Sequence, residues 1–326
     1  ILKGIPGRFF MWILLGIPFL TFTRCALSFF QGLQKFREYS VVNFSRSVFR
    51  LIFVVAFLYI FKMGISGVII LPMATFFATS LLGFVLLIRV SLPQSFPDFG
   101  LLLKSIKYGI KAQLGVFLNL FNLRLDNFFL NYFINPKSVG LYSVGVRFSE
   151  LLWYVPYASA TTLFPRVASS RDEESREFTK KILKFIFIFM VLSSVFLIFV
   201  GKKLILLLFG KLFLGAYPVL VILLPGTIAV ALNKIISSYL YGKGKPHYSI
   251  YLSGVALVVT VIMDILLIPR IGITGAAIAS SVAYVMSFLT GTVLLYREAK
   301  VNVCLLYTSD AADEGLGVDL GGRRII

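Results

Sequence analysis

Nine stretches of about twenty apolar residues, separated by short polar loops, constrain this chain more than anything else in it. About twenty apolar residues is the length that crosses a bilayer, and in lipid the backbone must satisfy its own hydrogen bonds, so each stretch must be helical. They run from about Phe9 to Phe30, Val41 to Phe61, Ile65 to Ile88, Ser105 to Ile134, Val139 to Pro165, Ile182 to Val200, Tyr217 to Tyr239, Tyr248 to Ile268 and Ile273 to Tyr296. Hydrophobic residues make up 58% of the 326, more apolar surface than a soluble domain hides. The expected fold class is all-α, a polytopic membrane protein.

The net charge of +18 does not indicate a nucleic-acid partner, because most of the Lys and Arg lie in short loops, where they set orientation. Counted over loops and span ends, sixteen fall on one side and eight on the other, so the first side is expected to be cytoplasmic. Two cysteines, Cys25 and Cys304, support neither a disulfide framework nor a metal cluster. The single histidine, His247, reads as a loop residue at the membrane surface.

An internal repeat organises the spans. Met63 to Arg89 aligns without gaps onto Ile271 to Arg297, 208 residues later, with ten of 27 positions identical. Leu and Val matches are cheap between membrane helices, but Gly64, Gly67, Gly83 and Arg89 recur in register as Gly272, Gly275, Gly291 and Arg297. A weaker echo pairs Tyr39-Ser40-Val41 with Tyr248-Ser249-Ile250. An even number of spans separates the copies, which implies two parallel lobes. Residues 1–90 then read as the last three helices of an N-terminal lobe, 91–100 as a linker and 101–300 as a complete six-helix C-terminal lobe. Residues 301–326, rich in Gly and Asp and without periodicity, read as a non-native or disordered tail.

Charges inside the spans mark where function is expected, since at membrane depth each costs several kcal/mol unless it faces a bundle interior or a wet cavity. Arg124 and Asp126 lie deep in the fourth stretch, two residues apart and so on different helix faces. Asn119, Asn122, Asn127 and Asn131 thicken that polar face. In the fifth stretch Ser143, Arg147, Glu150, Tyr154 and Thr161 share one stripe, with Arg147 and Glu150 spaced to pair. Arg24 and Lys234 lie in different lobes with no carboxylate nearby in sequence. Arg46 and Arg50 are expected to snorkel to headgroups, and Asp264, beside Pro269-Arg270, to act as a cap or surface pair.

The run RLDNFFLNYFINPKSVGLYSVGVRFSELL, followed by LFPRVASS, resembles the seventh and eighth helices of oligosaccharide-lipid flippases. These are polysaccharide biosynthesis proteins of the multidrug/oligosaccharidyl-lipid/polysaccharide exporter superfamily. The resemblance is specific there and elsewhere, over roughly Phe9 to Lys300, is one of hydropathy and topology. It implies a twelve- to fourteen-helix protein seen from its fourth helix on, with two six-helix lobes around a central cavity. It also implies a bacterial cytoplasmic (inner) membrane location and transfer of an undecaprenyl-pyrophosphate-linked oligosaccharide to the outer leaflet, for O-antigen, capsule or exopolysaccharide synthesis.

On that reading Arg24, Arg124, Arg147 and Lys234 hold the pyrophosphate, which arginine grips by paired hydrogen bonds. Asp126 or Glu150 would couple transport to protons or sodium. Cofactors, resident metals and catalytic residues are not expected; the partners are the lipid-linked oligosaccharide and membrane lipids, with oligomeric state open. Two alternatives stand beside it. A cation-coupled multidrug exporter needs a carboxylate-dominated cavity, whereas cations outnumber carboxylates in these spans. A membrane polysaccharide polymerase or ligase needs a large catalytic outer loop, and the outer loops here are short.

Overall fold

The computed structural model describes residues 7–90 and 99–300 and contains no strand among them. Most of the expected linker and the whole tail from residue 301 lie outside the described residues. Contacts divide the chain into two compact units, with the boundary between Leu102 and Leu103.

The first unit holds α1 (Gly7–Gly32), α2 (Phe36–Val54, continued by a π-helical stretch Val55–Ile60) and α3 (Gly64–Arg89). α3 packs against both α1 and α2. Ala26, Leu27, Phe30 and Val42 form the core where α1 and α2 meet, with Leu86 and Leu87 of α3 against them.

The second unit holds α4 (Phe99–Phe133), α5 (Pro136–Leu151), α6 (Tyr154–Ser169), α7 (Asp172–Phe209), α8 (Ala216–Gly242) and α9 (Tyr248–Ala299). α9 is not one rod: Gly272, at φ 62°, folds it back on itself, and its halves are the eighth and ninth stretches of the sequence. α8 is the spine of this unit, packed by α5, α6, α7 and α9. Small residues let it be so central. A Cβ on Gly226 would lie 2.7 Å from the Cα of Ser281, and one on Gly145 would lie 2.8 Å from Val219 Cγ1. Lipid supplies no hydrophobic drive between helices, so such close backbone approach is what holds them.

Among the described residues six helices are long and apolar enough to cross a membrane, α9 counted once, and each coincides with stretches expected from the sequence. Two expectations are corrected. The fifth stretch is not one helix: Pro156 has no N–H for the Leu152 carbonyl, and the backbone tightens to Leu152 N–Ser149 O and Trp153 N–Glu150 O bonds, separating α5 from α6. The charged segment Ser169 to Lys181, which lies between the fifth and sixth stretches and reads from its charge as the most polar of the connecting loops, is not a loop either. From Asp172 it is the first turns of α7, whose opening acids Asp172, Glu173 and Glu174 suit a helix N-terminus.

The repeat is written in the backbone. α1 ends in a Schellman turn, Lys35 N to Phe30 O at 2.8 Å and Gln34 N to Gln31 O at 3.0 Å. α8 ends in the same turn, Lys245 N to Leu240 O at 2.9 Å and Gly244 N to Tyr241 O at 3.0 Å. Gln34 and Gly244 are both left-handed, at φ 57° and 73°, and so are Gly64 and Gly272, at 56° and 62°. The offset between copies shrinks from 210 at the turn to 209 at Tyr39/Tyr248 and 208 at Gly64/Gly272. Copy one therefore carries one extra residue inside α2, and a π-helical turn is how a helix absorbs one.

Gly226→Val should overpack the α8–α9 contact and destabilise the second unit by about 1–3 kcal/mol; a thermal melt of the detergent-solubilised protein would show an unshifted midpoint if the close approach is dispensable.

Candidate functional site

The most unusual chemistry of the second unit is a buried polar cluster between α4, α5 and α9. Asp126 on α4 is 2% exposed, and Asp264 on α9 is 0% exposed. One oxygen of Asp126, Oδ2, accepts from Tyr142 of α5 by a short hydrogen bond and from Ser280 Oγ of α9 at 2.6 Å. Tyr142 and Ser280 also lie 3.2 Å apart. Thr260 Oγ1, one turn below Asp264, and Asn122 Oδ1, one turn below Asp126, are buried without a hydrogen-bond partner. Asp126 and Asp264 face each other within hydrogen-bonding reach of a carboxyl–carboxylate pair, and no other side chain donates to Asp126 Oδ1 or to Asp264 among the described residues. Two bare carboxylates cost several kcal/mol in such surroundings, a cost that a shared proton or a monovalent cation would lower. Among the described residues no group of three or more His, Cys, Asp or Glu could hold a metal ion, which makes a multivalent site a poor fit.

Local folding explains the convergence. Gly115 on α4 packs against Ser249 at the start of α9, so α4 and the first half of α9 rise together and bring Asp126 level with Thr260 and Asp264. The fold-back at Gly272 then returns Ser280, which stands as far after Gly272 as Asp264 stands before it. The expectation that Asp264 is a cap or surface pair is thereby corrected. It lies about 12 Å down the helix from the fold-back, well inside the bundle. Equal spacing of Asp264 and Ser280 about a repeated glycine was the available signal.

The cations expected at the site are distributed differently. Arg124 is exposed and forms no ion pair among the described residues, while Asp126, two residues on, is buried. Arg147 bonds Glu150 at 2.8 Å and is 65% exposed against 15% for Glu150. Lys234 on α8 is half-buried, its Nζ 3.8 Å from the ring centroid of Tyr157 on α6. Tyr157 in turn feels Glu150 electrostatically. Arg147, Glu150, Tyr157 and Lys234 thus form one connected face across the α5–α6 break, without Arg124. Next to Lys234, Asn233 donates to Ser287 Oγ at 2.9 Å. Of the expected stripe, Ser143 reaches Asn127 at 3.4 Å, whereas Tyr154, beyond the break, is 73% exposed. Arg24 lies in the first unit and is exposed.

The family model of the lipid II flippase MurJ matches residues 10–313. The chain belongs to that family. Among curated relatives, the uncharacterized membrane protein MJ1068 of Methanocaldococcus jannaschii is 24% identical over 252 residues, covering 73% of this chain and 49% of the relative. The probable low-salt glycan biosynthesis flippase Agl15 of Haloferax volcanii is 28% identical over 210 residues, covering 61% and 42%. The chain spans about half the length of these relatives. Two solved structures share its fold. A point mutant of the Vibrio cholerae MATE transporter VcmN has a TM-score of 0.78 at 18% identity, covering 91% of this chain and 73% of that one. A lipid II flippase MurJ in an inward closed conformation has a TM-score of 0.61 at 15% identity, covering 86% and 60%. The flippase resemblance read from residues 124–170 is borne out, as is the all-helical membrane fold.

Asp126→Leu should remove the acceptor shared by Tyr142 and Ser280 and destabilise the second unit by about 2–4 kcal/mol, whereas Asp264→Asn, which removes one of two facing carboxylates and keeps an N–H donor toward Asp126, should leave it as stable or more so. Thermal melts of the two variants check this; an equal loss in both would mean that the second unit needs the Asp264 carboxylate itself.

Proposed function

We propose that the protein containing this chain flips a lipid-linked oligosaccharide, an undecaprenyl-pyrophosphate glycan for surface polysaccharide, from the cytoplasmic to the outer leaflet. The observation that carries the reading is the division of charge in the second unit. Cations lie on an accessible face, with Arg147 and Lys234 joined through Glu150 and Tyr157, while Asp126 and Asp264 are withdrawn into the core. A face that is net positive attracts a pyrophosphate and repels a cationic drug. Membership of a flippase family and the likeness to the probable flippase Agl15 support the same reading.

In this reading the first unit supplies the last three helices of an N-terminal lobe and the second is a six-helix C-terminal lobe. Transport in this reading is by alternating access, and no bond is made or broken. Arg24 and Lys234 are equivalent: both stand ten residues before the left-handed residue of the matching turns, Gln34 and Gly244. Each lobe thus offers one cation at the same place in its fold. Asp126 with Asp264 takes the coupling role, binding a proton or sodium ion away from the glycan, and Glu150 serves as the counter-ion of Arg147 instead. A cation-coupled drug exporter remains the second reading, favoured by that same carboxylate pair.

In the full-length protein, Lys234→Glu and Arg147→Glu should each cut surface-glycan export at least tenfold at unchanged membrane levels. Export unaltered in Lys234→Glu would remove the cationic face from the mechanism, and efflux of a cationic dye that responds to Asp264→Asn while glycan export does not would favour the drug-exporter reading.

A further inference from the structure

The first third of α4 carries a charge pattern that the candidate site does not use. α4 runs for 35 residues, which at helix rise is ~50 Å against an apolar bilayer core of ~30 Å. Counted back from the Asn135-Pro136 turn, about twenty residues cross that core. The segment from Phe99 to about Lys111 therefore lies at or beyond one membrane surface, on the side with the larger share of Lys and Arg.

Three faces of this segment are distinct. Tyr108 donates to the Tyr241 carbonyl at 2.8 Å, and Gly115, seven residues on, packs against Ser249, which fixes the face turned to the bundle. Leu102, Leu103, Ile106 and Ile110 fall on the opposite face and are 48% to 65% exposed. Lys104, Lys107 and Lys111, at i, i+3 and i+7, run as one stripe along a flank between the two, and all three are exposed. The stripe has no counter-charge: α4 contains a single acid, Asp126, buried some four turns further along, and none of the three lysines forms an ion pair among the described residues.

Neither water nor hydrocarbon suits both exposed faces. Four large aliphatic side chains are costly in water, and three ammonium groups are costly among acyl chains. At the boundary both are satisfied, with the aliphatic face on the acyl chains and the lysine stems leading their charges to the headgroups. Lysine suits interchangeable lipid phosphates, because its ammonium is a point charge on a flexible stem and makes no demand for one fixed geometry. We propose that Lys104, Lys107 and Lys111 are a docking strip for anionic phospholipid headgroups, and that the lipid surface holds the first third of α4 as a second anchor beside Tyr108. This strip depends on the membrane fold alone and not on what the protein carries.

Hydrogen exchange of residues 100–111, read by mass spectrometry on the full-length protein in nanodiscs, tests the strip. Adding phosphatidylglycerol to phosphatidylcholine discs should slow exchange there by about fivefold or more, and high salt should erase the difference. In the triple variant Lys104→Gln, Lys107→Gln, Lys111→Gln the two lipid mixtures should give the same exchange at an unchanged melting temperature. The matching triple substitution to Arg keeps the charge and should keep the phosphatidylglycerol effect. An effect that survives the Gln substitutions would overturn the proposal, since the lipid would then be acting elsewhere. Equal exchange of the wild type in both lipids would overturn it as well, leaving acyl-chain contact alone to place the segment. Glycan export takes no part in this readout, so a failure of the flippase reading would leave the strip standing.

Discussion

One carboxylate oxygen, Asp126 Oδ2, ties α4 to the rest of the second unit by accepting from Tyr142 of α5 and Ser280 of α9. α4 needs the tie. Much of its apolar surface faces outward, and its other cross-helix anchors are few: Tyr108 donating to the Tyr241 carbonyl at 2.8 Å, Gly115 packed on Ser249, and Leu130 in a core with Tyr142 and Val219. In water a helix this apolar would be held by burial. In lipid, burial against neighbours gains little over burial against acyl chains, so hydrogen bonds and close packing carry the attachment. In the proposed coupling role, a proton or cation at the Asp126–Asp264 pair would change the charge of the group that holds α4 in place.

The two copies of the repeat show how such a site arises in one half alone. Both copies keep the Schellman turn, the left-handed glycine and the helix that follows it, so their backbones are alike where packing sets the geometry. They differ in the middle of the second helix of each copy. There the first copy has an additional residue, taken up by the π-helical stretch Val55–Ile60, and the second has Asp264 in a regular helix. Counting along each copy sets Asp264 against Val55 or Ala56 according to which side of the extra residue the count begins. One copy thus widens its helix at the level where the other plants a carboxylate. A shared scaffold with a local difference at one level gives two repeats alike in backbone and unlike in buried charge.

Much of this was legible before any coordinates, because lipid leaves few options. Apolar runs of bilayer length gave the helices, and the Gly-x-x-Gly repeat gave the fold-back at Gly272. The pairing of Arg147 with Glu150 follows from their spacing alone. What escaped depends on contacts between segments distant in sequence. Asp264 looked peripheral because its distance from Pro269 was read along the chain, whereas what it faces is Asp126 on another helix, the carboxylate that Ser280 across the hairpin also bonds. The α5–α6 break escaped because a proline near the middle of an apolar run is common in membrane helices, and only the shortened bonds at Leu152 and Trp153 show that the helix tightens there. The helical start of α7 escaped because charge density was taken as a mark of a loop, while acids at a helix N-terminus stabilise it.

The separation of charge by depth follows from the same economy. A carboxylate can be withdrawn into the core when two hydroxyls satisfy one of its oxygens, as Tyr142 and Ser280 do for Asp126. An arginine cannot be withdrawn as cheaply, since it has five donors to satisfy and never sheds its charge. Arg147 and Arg124 accordingly stay exposed, and Lys234, half-buried, leans on the face of Tyr157. Acids inside and bases on the open face therefore need no special arrangement beyond this difference in how many partners each group demands. A surface of that kind would present its cations first to an anionic ligand, with the acids held behind them.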